Sequence, residues 1–315
     1  MAQNSPTGSE LEPPPKPTQD GWLERFVRAQ DGTRLYVRER PSAAALCAVL
    51  CDGIACDGLF WRYLVDDLAP LARLVHWHYR GHGRSAAPVD PDRLDMTALA
   101  SDLDVVRRPQ GSQPTMLLGH SMGCQVALEG YRRHPEHLAG LVLLCGAPGR
   151  VTHTVKDTSA VAQALPPLIE WVRRRPRFAQ AVWSNFPPEV AVRIALASGE
   201  VDATAIQPAD LLAYLEHVTS LDLLMFLRML QAVGEQTAED MLPSVQIPVL
   251  IIAGELDTFT PPHLAERMAA ALPRADLVIV EGATHAVPIE RRELVRDRIE
   301  AFVTDRVMPG IGEPR

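Results

Sequence analysis

The sequence predicts an α/β fold in which helices cover both faces of a mainly parallel, eight-stranded sheet. Three observations support this prediction. Short apolar segments alternate with helix-like segments along most of the chain, which is the pattern of a doubly wound sheet. Most of the apolar segments are unbroken runs of Val, Leu and Ile, as in strands buried on both faces. The 315 residues are 47% hydrophobic and 22% charged, a composition that supports a large core.

The predicted sheet begins with a hairpin. Asp31-Gly32, a dipeptide that supplies positive φ in a tight turn, separates the strand-like residues 26–30 and 34–40. Six apolar strands are predicted after it, at residues 46–51, 72–78, 115–119, 138–145, 248–253 and 276–280.

The alternation stops between residues 148 and 243, where helical patterns follow one another. Residues 211–218 place apolar side chains on one helical face, and residues 221–230 are apolar on nearly all sides. Such a segment is either a core helix or the wall of an apolar cavity, and the sequence favours neither. Residues 148–243 are predicted to form a helical cap, inserted into a core made of residues 22–147 and 244–305.

Both ends of the chain are predicted to lie outside the core. The first twenty residues hold five prolines and no aromatic residue, a composition that does not bury enough surface to offset its ordering entropy. We expect a disordered, solvated tail over residues 1–21, order from Trp22 onward, and a C-terminal tail over residues 306–315.

The strongest local motif is Gly119-His-Ser-Met-Gly123, which follows the predicted strand 115–119 and precedes a helical pattern. This is G-x-S-x-G between a strand and a helix, a sharp turn that holds its serine in a strained conformation and requires glycine on both sides. Ser121 is therefore the candidate nucleophile. A serine hydroxyl is a weak nucleophile, so a base must take its proton and an acid must orient that base.

Candidates for the base and the acid follow two later strands. Strand 248–253 leads into a loop with Glu255 and Asp257, and strand 276–280 leads into a loop with His285. We favour Asp257 over Glu255 as the acid because it lies further into the loop. The chain order Ser121, Asp257, His285 is the one expected of an α/β-hydrolase.

With these motifs the chain resembles the α/β-hydrolase fold superfamily over about residues 22–305. Two further motifs contribute, Gly254-Glu-Leu-Asp257 and the loop Tyr79-Arg-Gly-His-Gly-Arg-Ser85. The resemblance implies a Ser-His-Asp triad and a structural role for the 79–85 loop. It also implies an oxyanion hole made by two backbone N–H groups, Met122 at a helix N-terminus and Ile54 after Asp52-Gly53.

Asp52 departs from the family pattern, which commonly has a histidine before this glycine. His78 stands where the family commonly has an aspartate. We expect the acid and the imidazole to have exchanged places while keeping one supporting hydrogen bond. The departure matters because a carboxylate pointing at a developing oxyanion would oppose catalysis.

These features predict a cofactor-free serine hydrolase that cleaves a carboxylic ester of a hydrophobic small molecule through an acyl-enzyme. A thioesterase, a lactonase or a C–C bond hydrolase would use the same residues. A weakly catalytic ligand-binding receptor on this fold is the alternative from another class. The sequence does not indicate the oligomeric state.

Composition and charge argue against several partners. A net charge of −8 provides no global basic field for nucleic acid or an anionic membrane. We interpret Arg173, Arg174, Arg175 and Arg177 as a solvated helix end near Pro176 rather than as a binding patch.

The five cysteines include no CxxC pair, so neither a disulfide scaffold nor a metal site is expected. Neither a secretory signal nor a membrane span is expected, since no basic segment precedes an apolar one and no apolar run reaches about 18 residues. We expect the protein to be cytoplasmic.

Overall fold

The structure, a computed structural model, describes residues 15–199 and 201–311. Its strands are β1 (Lys16–Pro17), β2 (Leu23–Arg28), β3 (Arg34–Arg40), β4 (Cys47–Cys51), β5 (Arg73–Trp77), β6 (Thr115–His120), β7 (Leu138–Leu144), β8 (Val249–Gly254) and β9 (Ala275–Val280). They form one sheet in the order β1-β2-β3-β5-β4-β6-β7-β8-β9. The pairs β1–β2, β2–β3 and β3–β5 are antiparallel, and the other neighbours are parallel. The predicted mainly parallel sheet is confirmed, with each of the eight predicted strands present.

The ninth strand, β1, lies inside the segment predicted to be a tail. Residues 1–14 of that segment are outside the described residues. Lys16 pairs with Glu24 and Pro17 pairs with Leu23, so the end of the segment forms an edge strand. Composition did not indicate this strand because its backbone hydrogen bonds need no apolar side chains.

The helices are α1 (Val65–Leu68), α2 (Met96–Arg107), α3 (Met122–Arg133), α4 (Ala160–Arg174), α5 (Pro176–Ser184), α6 (Pro188–Ser198), α7 (Pro208–Ser220), α8 (Leu223–Glu235), α9 (Pro262–Ala271), α10 (Val287–Glu290) and α11 (Arg292–Phe302). Side chains of α2, α3 and α9 pack on one face of the sheet, and side chains of α1 and α11 pack on the other. Within the described ranges, no helix combines the length and the apolar character needed to cross a membrane.

The central strands separate two apolar layers. Strands β4, β6, β7 and β8 are buried along their whole length, as predicted from their unbroken apolar sequences. Successive residues of β4 point to opposite faces: Val49 belongs to the layer under α2 and α3, and Leu50 belongs to the layer under α11. The carboxyl ends of the parallel strands lie on the same side of the sheet, and the loops of the candidate site begin there.

Helices α4–α8 lie between β7 and β8, and we call the segment that contains them, residues 148–243, the helical insertion. An isolated antiparallel bridge between Gly149 and Thr237 joins the two ends of this segment. On the core side, Asp210 of α7 accepts hydrogen bonds from Arg62 Nη1 at 2.6 Å and from the Tyr63 hydroxyl at 2.5 Å. The bridge thus closes the insertion at its base, and the contacts of Asp210 attach α7 to the core.

The chain stays ordered beyond α11. Helical turns continue to Gly310, and Val307 is buried among the side chains of the second layer. The segment predicted to be a C-terminal tail, residues 306–315, therefore packs on the core at its start, because Val307 contributes apolar area there. Residues 312–315 lie outside the described residues.

Candidate active site

Ser121 occupies the turn between β6 and α3. Its backbone has φ 54° and ψ −121°, a region that a residue with a side chain adopts only when its surroundings enforce it. The Ser121 N–H donates to the Leu144 carbonyl of the neighbouring strand at 2.9 Å, which fixes the turn to the sheet. The turn places the serine at the carboxyl end of β6 and at the start of α3, as the motif predicted.

The two flanking glycines are required by close backbone contacts. A Cβ on Gly119 would lie 2.4 Å from the Gly123 carbonyl oxygen, and a Cβ on Gly123 would lie 2.1 Å from the Cys51 carbonyl oxygen. Any side chain at either position would push the turn away from β4. The prediction that both flanks must be glycine is confirmed.

His285 and Asp257 lie together at the ends of β9 and β8. His285 Nδ1 is 2.8 Å from Asp257 Oδ2, and the Asp257 side chain is fully buried. Asp257 Oδ1 accepts from the backbone N–H groups of Phe259 and Thr260, both at 2.9 Å. Glu255, the rival acid, accepts from the Gly282 N–H instead.

The surroundings of Asp257 keep it ionised. Burial alone would raise the pKa of this carboxyl, but the nearby His285 and the hydrogen bonds from His285 and Thr260 hold it below its ordinary value. Thr260 Oγ1 lies 2.8 Å from Asp257 Oδ2 and 2.8 Å from the Cys145 carbonyl oxygen. Thr260 belongs to no motif in the sequence and was not predicted.

Ser121 and His285 line the same cavity, which has a volume of about 570 Å³. In the described part of the chain no hydrogen bond joins the Ser121 hydroxyl to His285; such bonds are often long without substrate and tighten when it binds. Ile54 and Met122, whose N–H groups were predicted to bind an oxyanion, line this cavity as well. Ser121, His285, Ile54 and Met122 thus line one cavity.

Most of the cavity wall is apolar and comes from the helical insertion. Residues of α7 and α8 that line it include Leu211, Tyr214, Leu215, Val218, Phe226, Leu230 and Val233. The sequence left open whether residues 221–230 form a core helix or a cavity wall. The structure shows both, since Phe226 and Leu230 line the cavity and Met229 packs in the core layer under α2 and α3.

The loop after β4 packs directly against the serine turn. A Cβ on Gly53 would lie 3.3 Å from Ser121 Cβ. The next residue but one, Ala55, has φ 59°, and its N–H donates to His82 Nε2 at 3.2 Å. His82 Nδ1 lies 3.0 Å from the Arg80 carbonyl, so His82 is the neutral tautomer that donates to Arg80 and accepts from Ala55. His82 therefore has the structural role that the resemblance implied for its loop, which is to hold the segment containing Ile54.

Asp52 is buried and faces β5 rather than the cavity. His76 Nε2 lies 2.8 Å from Asp52 Oδ2, and Arg38 Nε donates to His76 Nδ1 at 3.0 Å. Because Nδ1 accepts, His76 is neutral and its Nε2–H donates to Asp52 Oδ2. Burial raises the pKa of Asp52 to about 7, against the lowering effects of Arg38 and Trp61.

The expected pairing of Asp52 with His78 is wrong, and His76 takes that place. His78 lies just beyond the end of β5, where its Nδ1 accepts from the Arg84 N–H at 2.8 Å. The two histidines are two residues apart on one side of the strand, with ring centroids 5.4 Å apart. Sequence spacing alone did not distinguish them.

Only one group of three metal-ligand side chains occurs among the described residues, and its chemistry does not suit a resident ion. It consists of Cys145, Asp257 and His285, whose ligand atoms lie within 4.8 Å of one another. Asp257 and His285 already direct these atoms at each other. Burial raises the pKa of the Cys145 thiol well above its ordinary value, which disfavours the thiolate that metals bind.

A family model described as the alpha/beta hydrolase fold matches residues 49–291. A Bacillus subtilis protein named for 2-succinyl-6-hydroxy-2,4-cyclohexadiene-1-carboxylate synthase activity is 25% identical over 288 residues, which cover 88% of this chain and 97% of that protein. A Rhizobium rhizogenes protein named for carbamate hydrolase activity is 24% identical over 272 residues, 85% of this chain and 95% of that protein.

Solved structures match over most of the chain too. An esterase from Exiguobacterium antarcticum has a TM-score of 0.72 at 23% identity, and the match covers 89% of this chain and 99% of the esterase. At this identity the match shows the fold and leaves the substrate open.

Proposed function

Because the chain belongs to the alpha/beta hydrolase fold family, as its motifs predicted, we propose that it is a serine hydrolase that cleaves carboxylic esters of hydrophobic small molecules. The observation that supports this most is that Ser121 and an Asp257-bonded His285 share one apolar cavity. The strained backbone of Ser121 is a second support, since such strain is concentrated at functional sites.

In the proposed mechanism Ser121 Oγ attacks the ester carbonyl carbon while His285 Nε2 takes its proton. Asp257 holds the His285 Nδ1–H and stabilises the imidazolium. The N–H groups of Met122 and Ile54 bind the oxyanion of the tetrahedral intermediate, each worth about 3 kcal/mol by the cost of deleting one such donor. His285 then protonates the leaving alcohol, and an acyl-enzyme forms. Water, deprotonated by His285, releases the acid and restores Ser121.

Asp52 does not oppose this mechanism in the way that its sequence position suggested. Its Oδ2 accepts from His76, and its side chain is not among those that line the cavity. The position of Asp52 therefore no longer favours a ligand-binding receptor over a hydrolase. Burial also lowers the pKa of His120 to about 3, so its imidazole binds a proton too weakly to compete with His285 as the base.

The proposed substrate class follows from the cavity wall. A space of about 570 Å³ is in the range of small-molecule sites, and its apolar lining favours an acyl or alcohol part without charge. In this proposal the helical insertion acts as a cap that covers the acyl chain. The names of related proteins include carbamate hydrolysis and ester hydrolysis, so the experiment described next also tests which type of bond is cleaved.

The test is hydrolysis of a chain-length series of p-nitrophenyl esters by wild type, Ser121→Ala and Ser220→Ala, with a fluorophosphonate probe that labels active serines. We expect wild type and Ser220→Ala to turn over and be labelled. Ser121→Ala should lose at least about 10³-fold in kcat and all labelling. A lactone, a thioester and a carbamate assayed beside the esters report the bond preference. If the wild type binds the esters but neither hydrolyses them nor is labelled, the proposed hydrolase is wrong and a ligand-binding receptor takes its place.

A further inference from the structure

The exposed apolar side chains of this protein are concentrated in the helical insertion. Seven of the twelve exposed large hydrophobic residues in the described chain lie between residues 168 and 194. We call these seven the apolar face: Leu168, Trp171, Phe178, Val182, Phe186, Val190 and Ile194. Single exposed apolar residues are ordinary, but a concentration of them marks an interaction site.

The apolar face is arranged by helical spacing. Phe178 and Val182 are four residues apart in α5, and Val190 and Ile194 are four apart in α6, so each pair shares one side of its helix. The Trp171 ring of α4 lies 6.2 Å from the Phe178 ring, which joins α4 to α5. The exposed side chains therefore extend over three consecutive helices.

Positive charge accompanies the apolar face. Between residues 168 and 194 the chain has five arginines and two acidic residues, a net charge of +3 in a protein whose net charge is −8. The Arg175 guanidinium lies 5.9 Å from the centre of the Trp171 ring. Arg173 and Arg174 both pair with Glu170, and their side chains remain 66% and 70% exposed. The charge segregation is local, and for this reason total charge did not reveal it. The proposal made from it replaces the interpretation of residues 173–177 as only a solvated helix end.

The apolar face also reaches the cavity of the candidate active site. Phe186 and Ile194 belong to both, since each is exposed and each lines the cavity. A surface that binds the apolar face would thus lie beside the entrance to the cavity.

We propose that the apolar face docks on the surface of an anionic phospholipid bilayer. Trp171 and Phe178 enter the boundary of the acyl chains, and the arginines at residues 173–177 contact the lipid phosphates. Aromatic anchors beside arginines are the arrangement that binds helices in the plane of a bilayer. Docking does not depend on hydrolysis; only the passage of apolar substrates from the bilayer into the cavity rests on the proposed function.

The experiment is flotation of the purified full chain with vesicles of phosphatidylcholine alone or mixed with phosphatidylglycerol. We expect wild type to float with the anionic vesicles and to be released by salt. Arg175→Gln with Arg177→Gln should lower the partition coefficient about 25-fold, at about fivefold per arginine. Trp171→Ser with Phe178→Ser should lower it at least about tenfold on both kinds of vesicle.

Two controls separate docking from other effects. Val89→Ser with Arg298→Gln removes one exposed apolar and one exposed basic residue outside the apolar face, and we expect it to float like wild type. Ser121→Ala should also float like wild type, so that a failure of the proposed hydrolase leaves the docking result unaffected. Thermal unfolding of each variant verifies that it is folded.

Three results would overturn the proposal. Wild type that stays in the buffer with anionic vesicles would do so, as would face variants that bind as tightly as wild type. The third is a concentration-dependent dimer, seen by sedimentation velocity in place of vesicle binding and lost in Trp171→Ser with Phe178→Ser. That result would make the apolar face an interface between two copies of this chain.

Discussion

The sheet core and the helical insertion differ in where they place apolar and polar side chains. In the core, strands β4, β6, β7 and β8 are buried throughout, and polar groups such as Asp257 are buried with defined partners. In the insertion, α4 buries only Leu165 and Val172 over its 15 residues, and large apolar side chains face the cavity or the outside.

This difference separates two tasks. The core positions the proposed catalytic groups through short hydrogen bonds and close backbone contacts, which tolerate little displacement. The insertion provides apolar area, which tolerates many substitutions of similar size. Substitutions in the core are therefore expected to affect the rate of the reaction, and substitutions in the insertion are expected to affect substrate range and surface binding.

The largest expected effect is at Asp257. Asp257→Asn keeps the shape of the side chain but no longer stabilises an imidazolium, and it favours the wrong tautomer of His285. We expect kcat to fall about 10⁴-fold with KM little changed. Steady-state hydrolysis of the preferred p-nitrophenyl ester measures this.

Glu255→Gln is the matched control, since Glu255 lies two residues earlier and bonds to Gly282. Its kcat should stay within about threefold of wild type. Equal losses in the two variants would show that the loop, rather than the carboxylate at Asp257, matters.

The second prediction concerns close packing in the core. Gly123→Ala places a methyl group 2.1 Å from the Cys51 carbonyl oxygen. The methyl carbon is bonded directly to the backbone and the oxygen is part of it, so no side-chain rotation relieves the contact. We expect a loss of about 3 kcal/mol in the free energy of unfolding and a large loss of kcat, because the Ile54 loop is displaced. Gly310→Ala, with open space around its Cβ, should be neutral in urea unfolding. A stable and active Gly123→Ala would refute the rigid core.

The core was largely predictable because its signals are local. Each strand was a run of apolar residues, and Ser121, Asp257 and His285 each follow one of these strands. The interactions that were missed connect distant segments. His76 bonds to Asp52 across 24 residues and His82 bonds to Ala55 across 27, and only the three-dimensional register of the strands decides which histidine faces which acid.

The insertion was predictable only as helical. Its periodicity indicated α7 and α8, but the pattern of an amphipathic helix does not say whether its apolar side faces a core, a cavity or the outside. The prolines Pro166 and Pro167 inside α4 argue locally against a helix there, and tertiary packing overrides them.

The third prediction tests how firmly the insertion is attached. Asp210 is buried and binds Arg62 and Tyr63 of the core, so Asp210→Ala removes both hydrogen bonds, and water can replace the acceptor at the exposed Arg62. We expect a loss of about 2 kcal/mol in the free energy of unfolding and faster proteolysis within residues 148–243. Asp240→Ala removes an exposed ion pair with Arg132 and should change stability by less than about 0.5 kcal/mol. If the two substitutions lower the free energy of unfolding equally, the burial of Asp210 does not strengthen the contact between the core and the insertion.

The smallest expected effect is a difference in pH dependence between a buried and an exposed acid. Burial raises the pKa of Asp52 in the core to about 7, whereas hydrogen bonds from Arg173 and Arg174 lower that of Glu170 in the insertion to about 2. Between about pH 4 and pH 7 the unfolded chain has lost the Asp52 proton and the folded protein has kept it, so this group makes stability fall as pH rises.

Asp52→Asn removes that titration. We therefore expect the free energy of unfolding of wild type, relative to Asp52→Asn, to fall by up to about 1.4 kcal/mol per pH unit as pH rises toward 7, and to level off above it. Glu170→Gln should run parallel to wild type above about pH 5, because the stabilisation from a carboxyl with a lowered pKa is fully present above its unfolded value. Urea unfolding at a series of pH values measures all three proteins. A parallel curve for Asp52→Asn would mean that the His76 hydrogen bond keeps Asp52 ionised throughout, so that even a fully buried acid of the core titrates like one on the surface.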